Sequence, residues 1–378
     1  MTQRRSFERV GDSSAINLAI GQPSSDLLPQ DLLSAGAAQF FESSHADMLN
    51  YGAPSGELEF RRALAEFLSD KNKHAVSPDT LFLTGGSSQG LDLICARFTQ
   101  PGDTVLVESA SYFLAFQIFQ DHGLRVIGIP TDQEGLRIDA LEQAIEQHHA
   151  KLIYTIPSFG NPTSINLSAA RRDAILELSR THRIIVAADE AYQQLYFEAP
   201  PPPSFGSHSD LGQVVVLGTF SKILAPGLRV GWLQLSQPLL ESMLDSGWIN
   251  SGGAINQMGA MITKQVLVSG ALDAHLSQLR AELSTRAEAM DAALHHWLGD
   301  QAQWHKPAGG YFFWVRLLQG INTQDALPKA IHAGSGYLPG NICAASEGFH
   351  DYLRLSFAAY NRLQITEGIQ RLSRALVD

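Results

Sequence analysis

The sequence predicts an α/β protein with a large, mostly parallel sheet and a smaller α+β part toward its C-terminus. Three observations carry this expectation. Short apolar runs alternate with longer helix-patterned stretches from about residue 45 to 270. The apolar period changes to that of one long helix at Leu272. The polar residues that could do chemistry follow directly on apolar runs, where an open α/β sheet binds its ligands.

The strand-like runs are Thr80–Leu83, Thr104–Val107, Val126–Ile129, Leu152–Ile156, Ile184–Ala187 and Val214–Leu217. Between the fourth and fifth, Ser168 is a good N-cap for a helix through Arg171 and Leu178. From Leu272, apolar residues recur at Leu276, Leu279, Leu283, Met290, Leu294 and Trp297, one face of a helix. Strands are expected after it near Tyr311–Val315 and Tyr352–Ser356. This organisation gives a large domain over 45–271 and a smaller one from 1–44 together with 272–378. Pro200–Pro203 reads as a surface loop within the large domain.

A hydrophobic content of 44% and a charged content of 17% over 378 residues suit a globular enzyme. The net charge of −11 argues against a nucleic-acid surface. Cys95 and Cys343 stand among apolar neighbours with no CxxC, so buried free thiols are expected, with neither disulfide nor metal. The segment around Arg4-Arg5 lacks the apolar core of a signal peptide. No run approaches the ~18 apolar residues of a membrane span. A cytoplasmic protein is expected. The pairs His148-His149 and His295-His296 lack acidic or cysteine partners at ligand spacing and read as solvated.

The most informative segment runs from Thr219-Phe220-Ser221-Lys222 to Pro226-Gly227-Leu228-Arg229-Val230-Gly231-Trp232. It leaves an apolar run and presents two hydroxyls, a lysine and, behind a Pro-Gly turn, an arginine. A nucleophilic amine beside a phosphate cradle fits an imine between Lys222 and the aldehyde of pyridoxal phosphate. Ser87 and Ser88 open another helix-patterned stretch, where hydroxyls, backbone amides and the positive helix end converge on an anion. Asp189 ends an apolar run and needs a partner at that depth. Arg354 is charged inside Tyr352–Phe357 and needs an anion.

These motifs, with Gly21-Gln22-Pro23, Tyr51-Gly52, Gly85-Gly86-Ser87-Ser88, Asn161-Pro162-Thr163 and Asp189-Glu190-Ala191-Tyr192, occur in family order. The chain resembles the pyridoxal-phosphate-dependent aminotransferases of class I/II, fold type I, nearest to the aminoadipate/kynurenine aminotransferase-like branch. The resemblance implies that Lys222 forms the imine and shuttles a proton, while Asp189 pairs with the pyridine nitrogen. Asn161 and Tyr192 would hydrogen-bond the phenolic oxygen, and the ring of Tyr112 would stack on the pyridine. Ser87, Ser88, Thr219, Ser221 and Arg229 would hold the phosphate. Tyr51 would reach it from a neighbouring subunit of a homodimer, although on sequence alone Tyr51 is equally a packed aromatic. Arg354 would take the substrate α-carboxylate, with the backbone at Gly21 and the amide of Asn161 close by.

The chain departs from the family pattern at Gly160 and Ser164, where a larger polar residue and a glycine are usual, and at Glu108-Ser109-Ala110, which lacks a common proline. All border the expected pocket. The resemblance implies amino transfer from an L-amino acid to a 2-oxo acid. A lyase or cyclase acting by β/γ-elimination, replacement or cyclisation would use the same residues, so both reactions stand at this point. A non-catalytic binding protein is disfavoured, because Lys222, Asp189 and Arg354 are all present.

Overall fold

The computed structural model describes residues 15–43, 46–207, 212–253 and 255–377, so Arg4-Arg5 lies outside the described residues. Seven strands form the main sheet: β1 Leu81–Thr84, β2 Thr104–Glu108, β3 Arg125–Ile129, β4 Leu152–Thr155, β5 Ile185–Asp189, β6 Val214–Thr219 and β7 Gly231–Leu235. Their order across the sheet is β1-β7-β6-β5-β4-β2-β3. The run from β3 to β6 is parallel, and β7 is antiparallel to both β6 and β1.

The central strands read as unbroken apolar runs because both sheet faces are covered. Alternate side chains sort into two separate cores. Val105, Val107, Leu152, Tyr154, Ala187, Val215 and Leu217 pack on one side. Leu106, Ile153, Val186, Ala188, Val214 and Val216 pack on the other. This is the period-two alternation of a strand expressed as two interiors. Helix α1, Ser87–Phe98, follows β1, and α2, Phe113–Asp121, follows β2. Helix α3, Ala169–His182, is capped as its sequence predicts, the Ser168 hydroxyl accepting from the Arg171 N–H.

Six of the seven main strands coincide with the apolar runs, displaced by a residue or two at their ends. The sequence reading did not anticipate β7. Its apolar run is interrupted by Gln234, which is buried and donates through Nε2 to the Gly206 carbonyl at 2.9 Å. A satisfied polar side chain in a central strand breaks the signature without breaking the strand.

Helix α4, Ala271–Trp297, is the long helix expected from Leu272. It leads to a four-stranded antiparallel sheet of β8 Ala302–Gln303, β9 Phe312–Leu317, β10 Leu338–Pro339 and β11 Tyr352–Ser356, ordered β8-β9-β11-β10. Near the start of the described chain, Ile16–Asn17 pairs in parallel with Ser335–Gly336. Arg286 of α4 is fully buried and donates to Asp26 at 2.6 Å, Ser24 at 2.7 Å and the Ala358 carbonyl at 3.1 Å. The segment after Gly21 is thereby fastened to α4 and to the chain following β11.

The turn into the lysine segment depends on close approach. A Cβ at Gly218 would lie 2.0 Å from the Trp232 ring across the β6–β7 pair. Trp232 in turn packs on Phe220, their centroids 5.1 Å apart. Gly218→Ala must therefore push the indole aside, at a cost of about 1–3 kcal/mol. Urea unfolding should show a lower midpoint for this variant; an unchanged midpoint would mean that the indole has room to yield.

Candidate active site

Residues remote in sequence meet at the carboxyl ends of β1, β2, β4, β5 and β6, on the side faced by β9 and β11. Lys222 lies three residues beyond β6, and its Nζ donates to the Gly21 carbonyl at 3.0 Å. The amine sits 5.4 Å from the Tyr311 ring centroid and 5.9 Å from that of Tyr192. The Tyr311 hydroxyl donates to the Lys222 carbonyl at 3.0 Å, which fixes the backbone beneath the amine. Loss of water around the amine, then the Arg354 charge, lower its pKa to about 8, against the opposing pull of Asp189.

Asp189 closes β5 and is buried. Its Oδ2 accepts from the Tyr154 hydroxyl at 3.0 Å and its Oδ1 from the Ala191 N–H at 3.2 Å. Burial raises its pKa to about 6, although Tyr154, Ala191 and Lys222 favour the ionised form. The next residue, Glu190, is turned away into the structure, where it accepts from Ser204 Oγ and the Phe205 N–H.

Arg354 of β11 is buried and has only neutral partners. It donates to Asn161 Oδ1 and to the Ala19 carbonyl, both at 2.8 Å, and its guanidinium carbon lies 4.2 Å from the Phe312 ring centroid. Its Nε is buried with no hydrogen-bond partner. Among the described residues no carboxylate forms an ion pair with it. Burial accordingly lowers its pKa. A Cβ at Gly21 would lie 3.0 Å from the Phe312 ring and 3.6 Å from the guanidinium, so the backbone approaches closely there.

Asn161 is buried on the loop after β4, preceding a cis peptide bond to Pro162. This loop also accounts for one departure from the family pattern. Ser164 has φ +57°, the left-handed region in which glycine is favoured. Its hydroxyl donates to the Phe312 carbonyl at 2.6 Å, a bond that glycine would lack.

The anion-binding end is open to solvent. Ser87 and Ser88 are the first residues of α1, whose N-cap, Gly86, has φ +98° and no side-chain cap. A Cβ at Gly86 would lie 2.8 Å from the Arg229 guanidinium. Arg229 donates to the Gly85 carbonyl at 2.7 Å and lies 3.5 Å from Ser221 Oγ; Thr219 Oγ1 lies 2.9 Å from the same hydroxyl. The Tyr112 phenol is pushed up to about 12, chiefly by burial, with nearby Ser88 opposing the rise. Tyr192 packs edge-on against Tyr311 and Phe312, which places it between Lys222 and Arg354.

Tyr51 stands apart from this group. It is 82% exposed, and among the described residues its side chain makes no hydrogen bond. Its neighbour Gly52 lies against Gly253, and Asn256 beyond it holds the Leu228 and Arg229 carbonyls. Cys95 and Cys343 are buried free thiols, as expected. Among the described residues no group of three potential metal ligands occurs, and no helix is long and apolar enough to cross a membrane.

The sequence reading missed Tyr154, Tyr311 and Phe312, which support Asp189, Lys222 and Arg354. Tyr154 left one trace, a hydroxyl-bearing residue inside the apolar run Leu152–Ile156. The two aromatics of β9 and the turn before it gave none, because any strand may carry apolar rings.

Pyridoxal phosphate needs an amine for its aldehyde, a carboxylate for its ring nitrogen and donors for its phosphate. Lys222, Asp189 and the uncapped start of α1 with Thr219, Ser221 and Arg229 present that set, and the Gly86–Arg229 approach leaves a cradle that a Cβ would fill. The donor chemistry fits the cofactor.

Comparison with known proteins agrees. The family model described as aminotransferase class I and II matches residues 13–372. An aromatic-amino-acid aminotransferase from Thermococcus litoralis is 32% identical over 99% of this chain and 90% of its own. The 2-aminoadipate transaminase of Thermus thermophilus is 31% identical over 96% of this chain and 90% of its own. The solved kynurenine aminotransferase of Pyrococcus horikoshii, described in complex with PMP, superposes with a TM-score of 0.90 at 32% identity, covering 97% of this chain and 91% of that one. This chain belongs to the class I and II aminotransferase family.

Proposed function

We propose that this pyridoxal-phosphate-dependent aminotransferase holds its cofactor through Lys222 and moves the α-amino group of an L-amino acid to a 2-oxo acid. The observation that carries the reading is the buried guanidinium of Arg354, with neutral partners and one unpaired N–H, in the same cleft as a lysine of depressed pKa. An interior with two cations and one carboxylate is suited to an anionic ligand. An amino or oxo acid brings its α-carboxylate to Arg354 and its reacting carbon toward Lys222.

The bound cofactor supplies an electron sink for charge developing at the substrate Cα. The chain's own residues do the rest. A pKa of about 8 leaves part of the Lys222 population neutral near pH 7, so Nζ can take the Cα proton and return it. Asp189 holds the ring nitrogen in its protonated form. Asn161 through its amide nitrogen and Tyr192 through its hydroxyl would donate toward the cofactor's phenolic oxygen, and the Tyr112 ring would pack on the cofactor. Ser87, Ser88, Thr219, Ser221 and Arg229 take the phosphate. Gly21 keeps the backbone against the substrate carboxylate. Relatives named for aromatic amino acids, 2-aminoadipate and kynurenine support transfer over elimination.

The exposure of Tyr51, with Leu49, Trp248 and Met258 also exposed, supports a homodimer in which Tyr51 serves the second copy's phosphate site. Residues 45–271 form the cofactor-binding part in this reading, with 1–44 and 272–378 making the smaller one. The buried free thiols are consistent with a cytoplasmic setting.

Mixing the holoenzyme with single L-amino acids, without an oxo acid, should convert the visible cofactor band stoichiometrically to the amino form. Consumption of the amino acid with release of ammonia and no such conversion would refute transfer. Lys222→Ala should lose the visible band of the lysine-bound cofactor; retention of that band would remove Lys222 from its role. Arg354→Ala should raise KM for the amino acid by about tenfold to a hundredfold, since a bond to a charged group is worth roughly 1.5–3 kcal/mol. Steady-state kinetics with an unchanged KM would place the carboxylate elsewhere.

A further inference from the structure

We propose that Tyr154 is a positioning residue for Asp189, its hydroxyl holding the buried carboxylate ionised and in one orientation. The inference rests on the reading above, in which Asp189 meets the cofactor's ring nitrogen. The register of β4 on β5 sets Tyr154 opposite Ala187. Ala187 and Asp189 are two residues apart on one strand, so the phenol and the carboxylate share a sheet face. The hydroxyl reaches Oδ2 at 3.0 Å.

Nothing in this contact is free to drift. Tyr154 is fully buried, and its ring packs edge-on against Phe119 with centroids 5.6 Å apart. Burial also pushes the phenol's pKa well above its ordinary value, so it remains a donor across the working range. Among the described residues the other hydrogen-bond donor to Asp189 is the Ala191 N–H.

The charges around Asp189 pull in opposite directions. Lys222, on the segment after β6, favours its ionised form, whereas Glu108, at the end of β2, disfavours it. Glu108 is itself satisfied by Thr155 Oγ1 at 2.6 Å, the Ile156 N–H at 2.9 Å and Ser111 Oγ at 3.0 Å. Tyr112 and Tyr192 face the same carboxylate as neutral phenols, and Arg354 adds positive charge nearby. A bound cofactor would engage the Lys222 amine. Tyr154 then remains as the side chain that favours the charged carboxylate. It is buried where it cannot itself reach the substrate, so it acts through Asp189 alone.

The test is equilibrium binding of pyridoxal phosphate to the apoenzyme across about pH 5.5 to 8.5, for wild type, Tyr154→Phe, Asp189→Asn and Phe119→Leu. Each affinity is expressed relative to wild type at the same pH. Tyr154→Phe keeps the ring against Phe119, and the apoenzyme's melting temperature checks that the fold survives. Loss of the donor raises the pKa of Asp189. The deficit should therefore reach about tenfold at the acid end and narrow as pH rises. Phe119→Leu disturbs packing alone and should give a deficit independent of pH.

Wild-type affinity in Asp189→Asn would sink the underlying reading of Asp189. Weak binding in Asp189→Asn, with wild-type affinity or a pH-independent deficit in Tyr154→Phe, would overturn the role of Tyr154 and leave that reading intact.

Discussion

The site depends on dehydrated positive charge. Lys222 and Arg354 occupy one cleft, and the partners the chain gives them are carbonyls and an amide: Gly21 for the lysine, Ala19 and Asn161 for the arginine. Both cations thus lean on the same short stretch, Ala19 to Gly21, at the turn closed by the Ile20 N–H on the Asn17 carbonyl. That stretch is anchored on one side by the pairing of Ile16–Asn17 with Ser335–Gly336 and on the other by Arg286. Asp189, which opposes part of the cost at Lys222, is itself buried and braced by Tyr154. Burial without an ionic partner is costly for Arg354, loss of water is costly for Lys222, and an anionic ligand would offset both.

A second buried arginine shows how Arg354, the proposed binding group, differs from a structural one. Arg172 is also surrounded by neutral acceptors, donating to the Leu167, Pro157 and Pro203 carbonyls and to Ser158 Oγ. Its Nε, Nη1 and Nη2 all have partners, and the Glu190 carboxylate favours its charge. It braces the loop that carries Asn161. Arg354 differs by one unpaired N–H and by the site it faces. Satisfaction of hydrogen bonds, more than burial, separates the two.

Much of the fold was legible in the sequence because the central strands are buried on both faces, so each announces itself as an unbroken apolar run. The site's primary residues were legible for the opposite reason. Lys222, Asp189 and Arg354 are charges in apolar surroundings, which demand an explanation at once. The missing strand β7 was hidden by Gln234, and the supporting residues Tyr154, Tyr311 and Phe312 were hidden because aromatic rings suit any core. What they support is a matter of register and distance. The sequence left Tyr51 open between a packed aromatic and a contact to a second subunit; at 82% exposed it is not packed among the described residues.

The reversed direction of β7 has a further consequence. Residues 220–230 form a closed excursion, because Thr219 at its start is paired with Gly231 at its end. Lys222 and Arg229 both ride on this staple, and its span is fixed by the sheet at its two feet. An extra residue anywhere within it would displace the amine and the guanidinium relative to each other. The length of this loop is therefore set by the sheet rather than by the loop itself. Ile223 and Leu224, between the two groups, are buried in the core and fix the same span from within.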